Sequence, residues 1–157
     1  MNPNTVFSKR GEQAAKEWLE SKGWKCYDVS NIDTTWKHDI DIIAVKNEEA
    51  RIIEIKYDSK IHYTGNMFVE IITDKDNKKP GWIETTASNY IMYGDAENNV
   101  FYCMRTTDLR NYLKLYRNEY EIVEAYERNK VSIGALVSVA DYQSHYWMEL
   151  ARPAYDF

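Results

Sequence analysis

The 157-residue chain has little cysteine, no long apolar run and no excess of positive charge, and each shortage excludes something. Its two cysteines, Cys26 and Cys103, lie in apolar, strand-like runs. They read as buried free thiols rather than a disulfide framework or a metal site. No apolar run approaches the length of a membrane span. The opening Met1-Asn2-Pro3-Asn4-Thr5 lacks the basic and apolar blocks of a signal peptide, so a cytoplasmic location is expected. The histidines His38, His62 and His145 are scattered without zinc spacing and read as surface or loop residues, His38 and His62 near any cleft. There is no Gly-rich phosphate loop, no Ser nucleophile motif and no Cys-x-x-Cys pair, so no organic cofactor is expected. A net charge of −5 argues against broad, sequence-blind affinity for nucleic acid, which depends on neutralising phosphates. It leaves room for a nuclease, because active-site carboxylates lower the total and a bound metal offsets them locally.

What is present is the composition of one globular domain, 44% hydrophobic and 29% charged, spanning residues 1–157. Its most informative stretch runs from His38-Asp39-Ile40-Asp41-Ile42-Ile43-Ala44-Val45, through a polar turn, to Ile52-Ile53-Glu54-Ile55-Lys56. It reads as two strands, Asp39–Val45 and Ala50–Lys56, paired antiparallel across Lys46–Glu49. Side chains two apart on a strand share a face. Asp39 and Asp41 are therefore expected on one face, as are Glu54 and Lys56, so that three carboxylates and one amine converge. Clustered oxygen ligands suit Mg²⁺, and a lysine beside them suits phosphate and water chemistry.

Around this pair, a helix is expected from Thr5 to Lys22. Its buried stripe is Phe7, Gly11, Ala14, Ala15, Trp18 and Leu19, and Gly23 ends it. Glu12 lies at the edge of that stripe, placed to look into a cleft. Strands are expected over Trp24–Val29, Met67–Ile72, Asn89–Tyr93, Val100–Arg105 and Val131–Val139. A turn-rich mobile loop is expected over Thr73–Gly81, and a short helix over Trp82–Ser88. Thr106 or Thr107 can cap a helix from Asp108 to about Tyr120, with the stripe Leu109, Tyr112, Leu113, Tyr116 and Tyr120. The order implies a mixed sheet with helices packed on it, an α/β protein with a C-terminal helix and strand extension.

The set Asp41, then Glu54-Ile55-Lys56, with Glu12 on the preceding helix, resembles the PD-(D/E)XK nuclease superfamily. The runs Asp41-Ile42-Ile43-Ala44 and Ile53-Glu54-Ile55-Lys56 look most like the small Holliday-junction resolvases, and the overall size resembles compact phage and homing endonucleases. The resemblance covers residues 8–72. It implies a restriction-endonuclease-like mixed β-sheet core flanked by helices, and a DNA endonuclease that hydrolyses phosphodiester bonds with Mg²⁺, for which Mn²⁺ can substitute. It also implies that Asp41 and Glu54 bind metal, with the Ile55 carbonyl as an added ligand. Lys56 would assist the water or the transition state. The chain departs from the family in having no proline before either aspartate. Asp41 is the better match because the apolar run follows it, leaving Asp39 as an auxiliary ligand. Glu12 is either a metal or water ligand or an acid favoured by the helix dipole.

Arg110, Lys114 and Arg117 on one helix face, with Lys75, Lys78 and Lys79 in the loop, are candidates to grip phosphates of DNA. Glu70 can border the cleft or stand exposed on its strand. Thirteen tyrosines and five tryptophans offer core, stacking or subunit-contact surface, and the aromatic tail offers an interface for the homodimer that cutting two strands would need. Junction resolution is the favoured activity. A homing or restriction-type endonuclease and a non-catalytic nucleic-acid-binding module are the alternatives.

Overall fold

The computed structural model describes residues 3–32, 39–127 and 129–153. Helix α1 (Pro3–Ser21) buries Gly11, Ala15, Trp18 and Leu19, the expected stripe. It stops at Gly23, whose φ of 90° is open to glycine at little cost. Strands β1 (Lys25–Asp28), β2 (Ile42–Lys46) and β3 (Glu49–Asp58) follow. Asn47 and Glu48, both left-handed, make the two-residue turn whose twist matches that of a hairpin.

Helix α2 (Ile61–Thr64), strands β4 (Asn66–Asp74) and β5 (Lys79–Pro80) and helix α3 (Trp82–Thr85) form the crossover from β3 to β6 (Tyr90–Asp95). A crossover of this length is required because β3 and β6 pair in parallel, Glu54 opposite Ile91 and Lys56 opposite Tyr93. Then come β7 (Val100–Arg105), helix α4 (Thr106–Leu115), a 3₁₀ turn (Arg117–Glu119), β8 (Glu121–Glu127), β9 (Lys130–Ser138), helix α5 (Val139–Gln143) and β10 (Glu149–Ala151).

The strands form a six-stranded sheet, β1-β2-β3-β6-β7-β10, and a four-stranded sheet, β5-β4-β9-β8. The first is mixed, with antiparallel pairs on either side of β3–β6. One core lies under α1 and contains Ala15, Leu19, Ile42, Ala44, Ile53, Ile55, Met92 and Phe101. The other joins Ile91, Tyr93 and Met104 of the first sheet to Met67, Val69, Ala135 and Val137 of the second, and to Leu109 and Tyr112 of α4. Gly11 lets α1 lie directly on β3, since a Cβ there would come within 2.6 Å of the Tyr57 ring. No described helix is long and apolar enough to cross a membrane.

Several sequence expectations need correction. The second strand begins at Ile42, not Asp39, because Asp39 turns the chain with φ at 51°. Thr73–Gly81 is a hairpin rather than a free loop: Ile72 pairs with Pro80, and Asn77 donates to the Asp74 carboxylate. Helix α4 stops at Leu115 and starts without a side-chain cap; the Thr106 hydroxyl is buried 3.3 Å from that of Ser88 instead. Part of the aromatic tail serves the chain's own core, while Trp147 is 38% exposed. Tyr142 is buried against Tyr112, and Tyr146 packs on Tyr116 and Tyr142. Strand β8 has no sequence expectation behind it.

Candidate active site

The parting of β2 and β3 builds the site. Their register sets Ile42 opposite Ile53, so Asp41 and Glu54 are the next pair along. Asp41 lies just before β2. Its amide donates to the Ile53 carbonyl at 2.9 Å, its carbonyl accepts from the Val29 amide, and its carboxylate accepts from the Ile55 amide at 2.9 Å. The side chain thus takes over a backbone acceptor's place where the ladder ends, and this fixes the carboxylate against β3.

Glu54 is 4% exposed and faces the core between the sheets. One of its oxygens accepts from Lys56 Nζ at 3.0 Å, and the other, Oε2, is buried with no hydrogen-bond partner. A buried carboxylate oxygen without a donor is costly and uncommon. Burial pushes the Glu54 carboxyl up to about 8, against the pull of Lys56 and with a further push from Asp41 and Asp39. Burial likewise raises Asp41 to about 6, opposed by the Ile55 amide and assisted by the negative charge of Glu12. For Lys56, burial lowers the ammonium pKa, but Glu54 and the acids beyond it outweigh that and hold the group above its usual value. The ammonium also sits 5.1 Å from the centre of the Trp82 ring.

On the α1 side, Glu12 accepts from Lys9 Nζ at 3.0 Å and from the Ser30 hydroxyl at 3.4 Å. Ser30 also donates to Asp28 at 2.7 Å. Lys9 and Asp28 thus border the acids, although nothing in their spacing singles them out. Asp39 is close enough for its charge to act on both Glu54 and Lys56. Its carboxylate does not share a strand face with Asp41, however; it accepts a short hydrogen bond from Thr85 of α3. Among the described residues no three His, Cys, Asp or Glu side chains are grouped to hold one ion. The expected convergence of three carboxylates is therefore reduced, because Asp39 leaves the strand before alternation can aim it. Two carboxylates still fit a divalent ion, since Mg²⁺ is commonly held by one or two carboxylates with water and phosphate completing its shell. The unpartnered Glu54 oxygen is the group such an ion would satisfy.

Lys56 lines a cleft of about 790 Å³ between the two sheets, together with Trp82, Phe68, Glu70 and Tyr126. Glu70 is half-buried there, so it borders the cleft, and burial raises its carboxyl pKa. The basic candidates are scattered. Arg110 donates to the carbonyls of Ile83 and Thr86 at 2.9 and 2.8 Å. Arg117 donates to the Tyr120 carbonyl and lies over that ring. Lys114 is exposed on α4, and Lys78 and Lys79 are exposed on the β4–β5 hairpin. Lys75 pairs with Glu124. His62 lies beside Asp95 and Asn98, and His145 pairs with Glu119 away from the acids. His38 lies outside the described residues.

Residues 11–117 match the uncharacterised protein family UPF0102, a span that holds Glu12, Asp39, Asp41, Glu54, Lys56 and all of α3. Comparison with curated proteins returns no match. Among solved structures, a bacterial homing endonuclease is similar with a TM-score of 0.51 and 15% identity, covering 67% of this chain and 70% of that one. At that identity the likeness is one of fold. The mixed sheet flanked by helices is thus similar in fold to a homing endonuclease, as the α/β reading of the sequence expects.

Proposed function

The chain belongs to the UPF0102 family, and from that premise we propose that it is a Mg²⁺-dependent DNA endonuclease with its site at Asp41, Glu54 and Lys56. The observation that carries this reading is the buried Glu54, salt-bridged through one oxygen to Lys56 and unpartnered at the other, next to the half-buried carboxylate of Asp41. Left alone the pair is destabilising, as both raised pKa values express. Asp41 and Glu54 would hold the ion, for which Mn²⁺ would substitute. When bound it would supply Lewis acidity to the phosphate and lower the pKa of a water.

The chain's own groups do the rest. Asp41 is held by the Ile55 amide, so its outer oxygen is fixed in place. Lys56, kept protonated by Glu54, is a fixed positive charge against Trp82, placed to orient water or to offset charge developing on a pentavalent phosphorus. Glu12, with Lys9 and Ser30, supports the site from α1 and adds negative charge beside Asp41. Asp39 supports it from the other side.

The proposed substrate is a four-way DNA junction, on the resemblance of the two strand runs to the resolvases. A symmetric homodimer would then present two sites to two strands. Linear duplex cut at one sequence is the second reading, favoured by the fold likeness to a homing endonuclease. The test is cleavage of a labelled junction, a linear duplex and a single strand of matched sequence, with Mg²⁺ and with EDTA. Paired Mg²⁺-dependent cuts confined to the junction are expected. Cuts in linear duplex would move the activity to the second reading. Binding without cutting, together with a melting temperature indifferent to Mg²⁺, would favour a non-catalytic binding module.

A further inference from the structure

Arg110 reads in the sequence as a phosphate contact, yet its guanidinium is turned inward. It donates from Nε to the Ile83 carbonyl at 2.9 Å and from its terminal nitrogen to the Thr86 carbonyl at 2.8 Å. These lie at the C-terminal end of α3, where carbonyls have no partner within the helix. The same short helix touches the acidic site at both ends. Trp82, in its first turn, lies against the Lys56 ammonium, and the Thr85 hydroxyl donates to the Asp39 carboxylate.

The next residue completes the clasp. The Thr86 hydroxyl donates to the Asp39 carbonyl at 2.8 Å and is backed by the buried hydroxyls of Ser88 and Thr106. Asp39 is left-handed, with φ at 51°, a conformation uncommon for a non-glycine residue, and both its carboxylate and its carbonyl are held from this segment. A helix of four residues has little stability of its own. Its position is set by what grips it, and Arg110 grips it from α4.

We propose that Arg110 is a positioning residue for the acidic site, acting through α3 on Asp39. This rests on the metal-dependent nuclease reading above. The guanidinium's planar fork suits two carbonyls at once.

The test compares wild type with Arg110→Ala, Thr85→Val, Thr85→Ser and the Arg110→Ala/Thr85→Val double variant. The readouts are the Mn²⁺ concentration that half-saturates the rise in melting temperature, the cleavage rate at saturating DNA, and DNA affinity against salt in EDTA. Arg110→Ala and Thr85→Val should each shift the Mn²⁺ midpoint and the rate in the same direction, by up to about tenfold, the lower end of the effect of groups that support metal ligands, because Asp39 is not itself one of the two ligands. The double variant should be little worse than either single one, because both act through Asp39. Thr85→Ser, which keeps the hydroxyl, should restore both values. DNA affinity should stay within about twofold, with an unchanged salt slope.

A weaker DNA affinity with a salt slope lowered by about one would make Arg110 a phosphate contact and overturn the proposal. A lower melting temperature with an unmoved Mn²⁺ midpoint would reduce it to a structural clip and also overturn it. If no DNA is cut but the midpoint moves as expected, the nuclease reading fails while the positioning role stands. If wild type does not respond to Mn²⁺, both fail.

Discussion

Glu54 decides the chemistry at the scale of single residues. Its carboxyl ionises near 4.5 in the unfolded chain and near 8 in the fold, so between those values the folded state holds the extra proton. Stability is then greatest below pH 4.5 and falls as pH rises towards 8; Asp41, raised from 3.8 to about 6, acts in the same direction at the acid end. In EDTA the melting temperature should decline from pH 6 to 8, and Glu54→Gln should flatten that decline, the glutamine standing for the protonated acid at every pH. Equal slopes in the two proteins would show that Glu54 is not buried as described. Sequence alternation places Glu54 and Lys56 together correctly, because both sit mid-strand where period two is reliable. It misplaces Asp39, because one left-handed residue ahead of β2 breaks the period. Arg110 and Trp82 acquire their roles only through a crossover that no local pattern encodes.

At the scale of elements, α1 and the β2–β3 hairpin are legible because each has strong local signals: a helical apolar stripe ending at Gly23, and two apolar strands around a polar turn. Strand β8 is not, since its residues alternate between exposed and half-buried and acids sit at Glu121, Glu124 and Glu127. Its pairing with β9 is a tertiary choice. The seating of α1 is testable at Gly11. Alanine there puts a methyl within 2.6 Å of Tyr57, so helix or ring must move. Gly11→Ala should destabilise by about 1–3 kcal/mol, read as a lower urea midpoint at unchanged m-value. It should also slow cleavage by displacing its neighbour Glu12. A fully stable and active variant would mean that α1 does not hold the site.

The whole molecule carries a net charge of −5 and concentrates carboxylates where the fold splays β2 from β3. A surface of this kind does not attract DNA by charge alone, and a divalent ion at Asp41 and Glu54 is the means by which such a centre would meet a phosphate. The most direct test is the single-turnover cleavage rate of a four-way junction against Mg²⁺ concentration for wild type and Glu54→Gln, with both proteins shown to be folded. The account predicts saturating, EDTA-reversible cleavage by wild type and a loss of at least about a hundredfold in the variant, with junction binding retained. Cleavage by Glu54→Gln at the wild-type rate would contradict it.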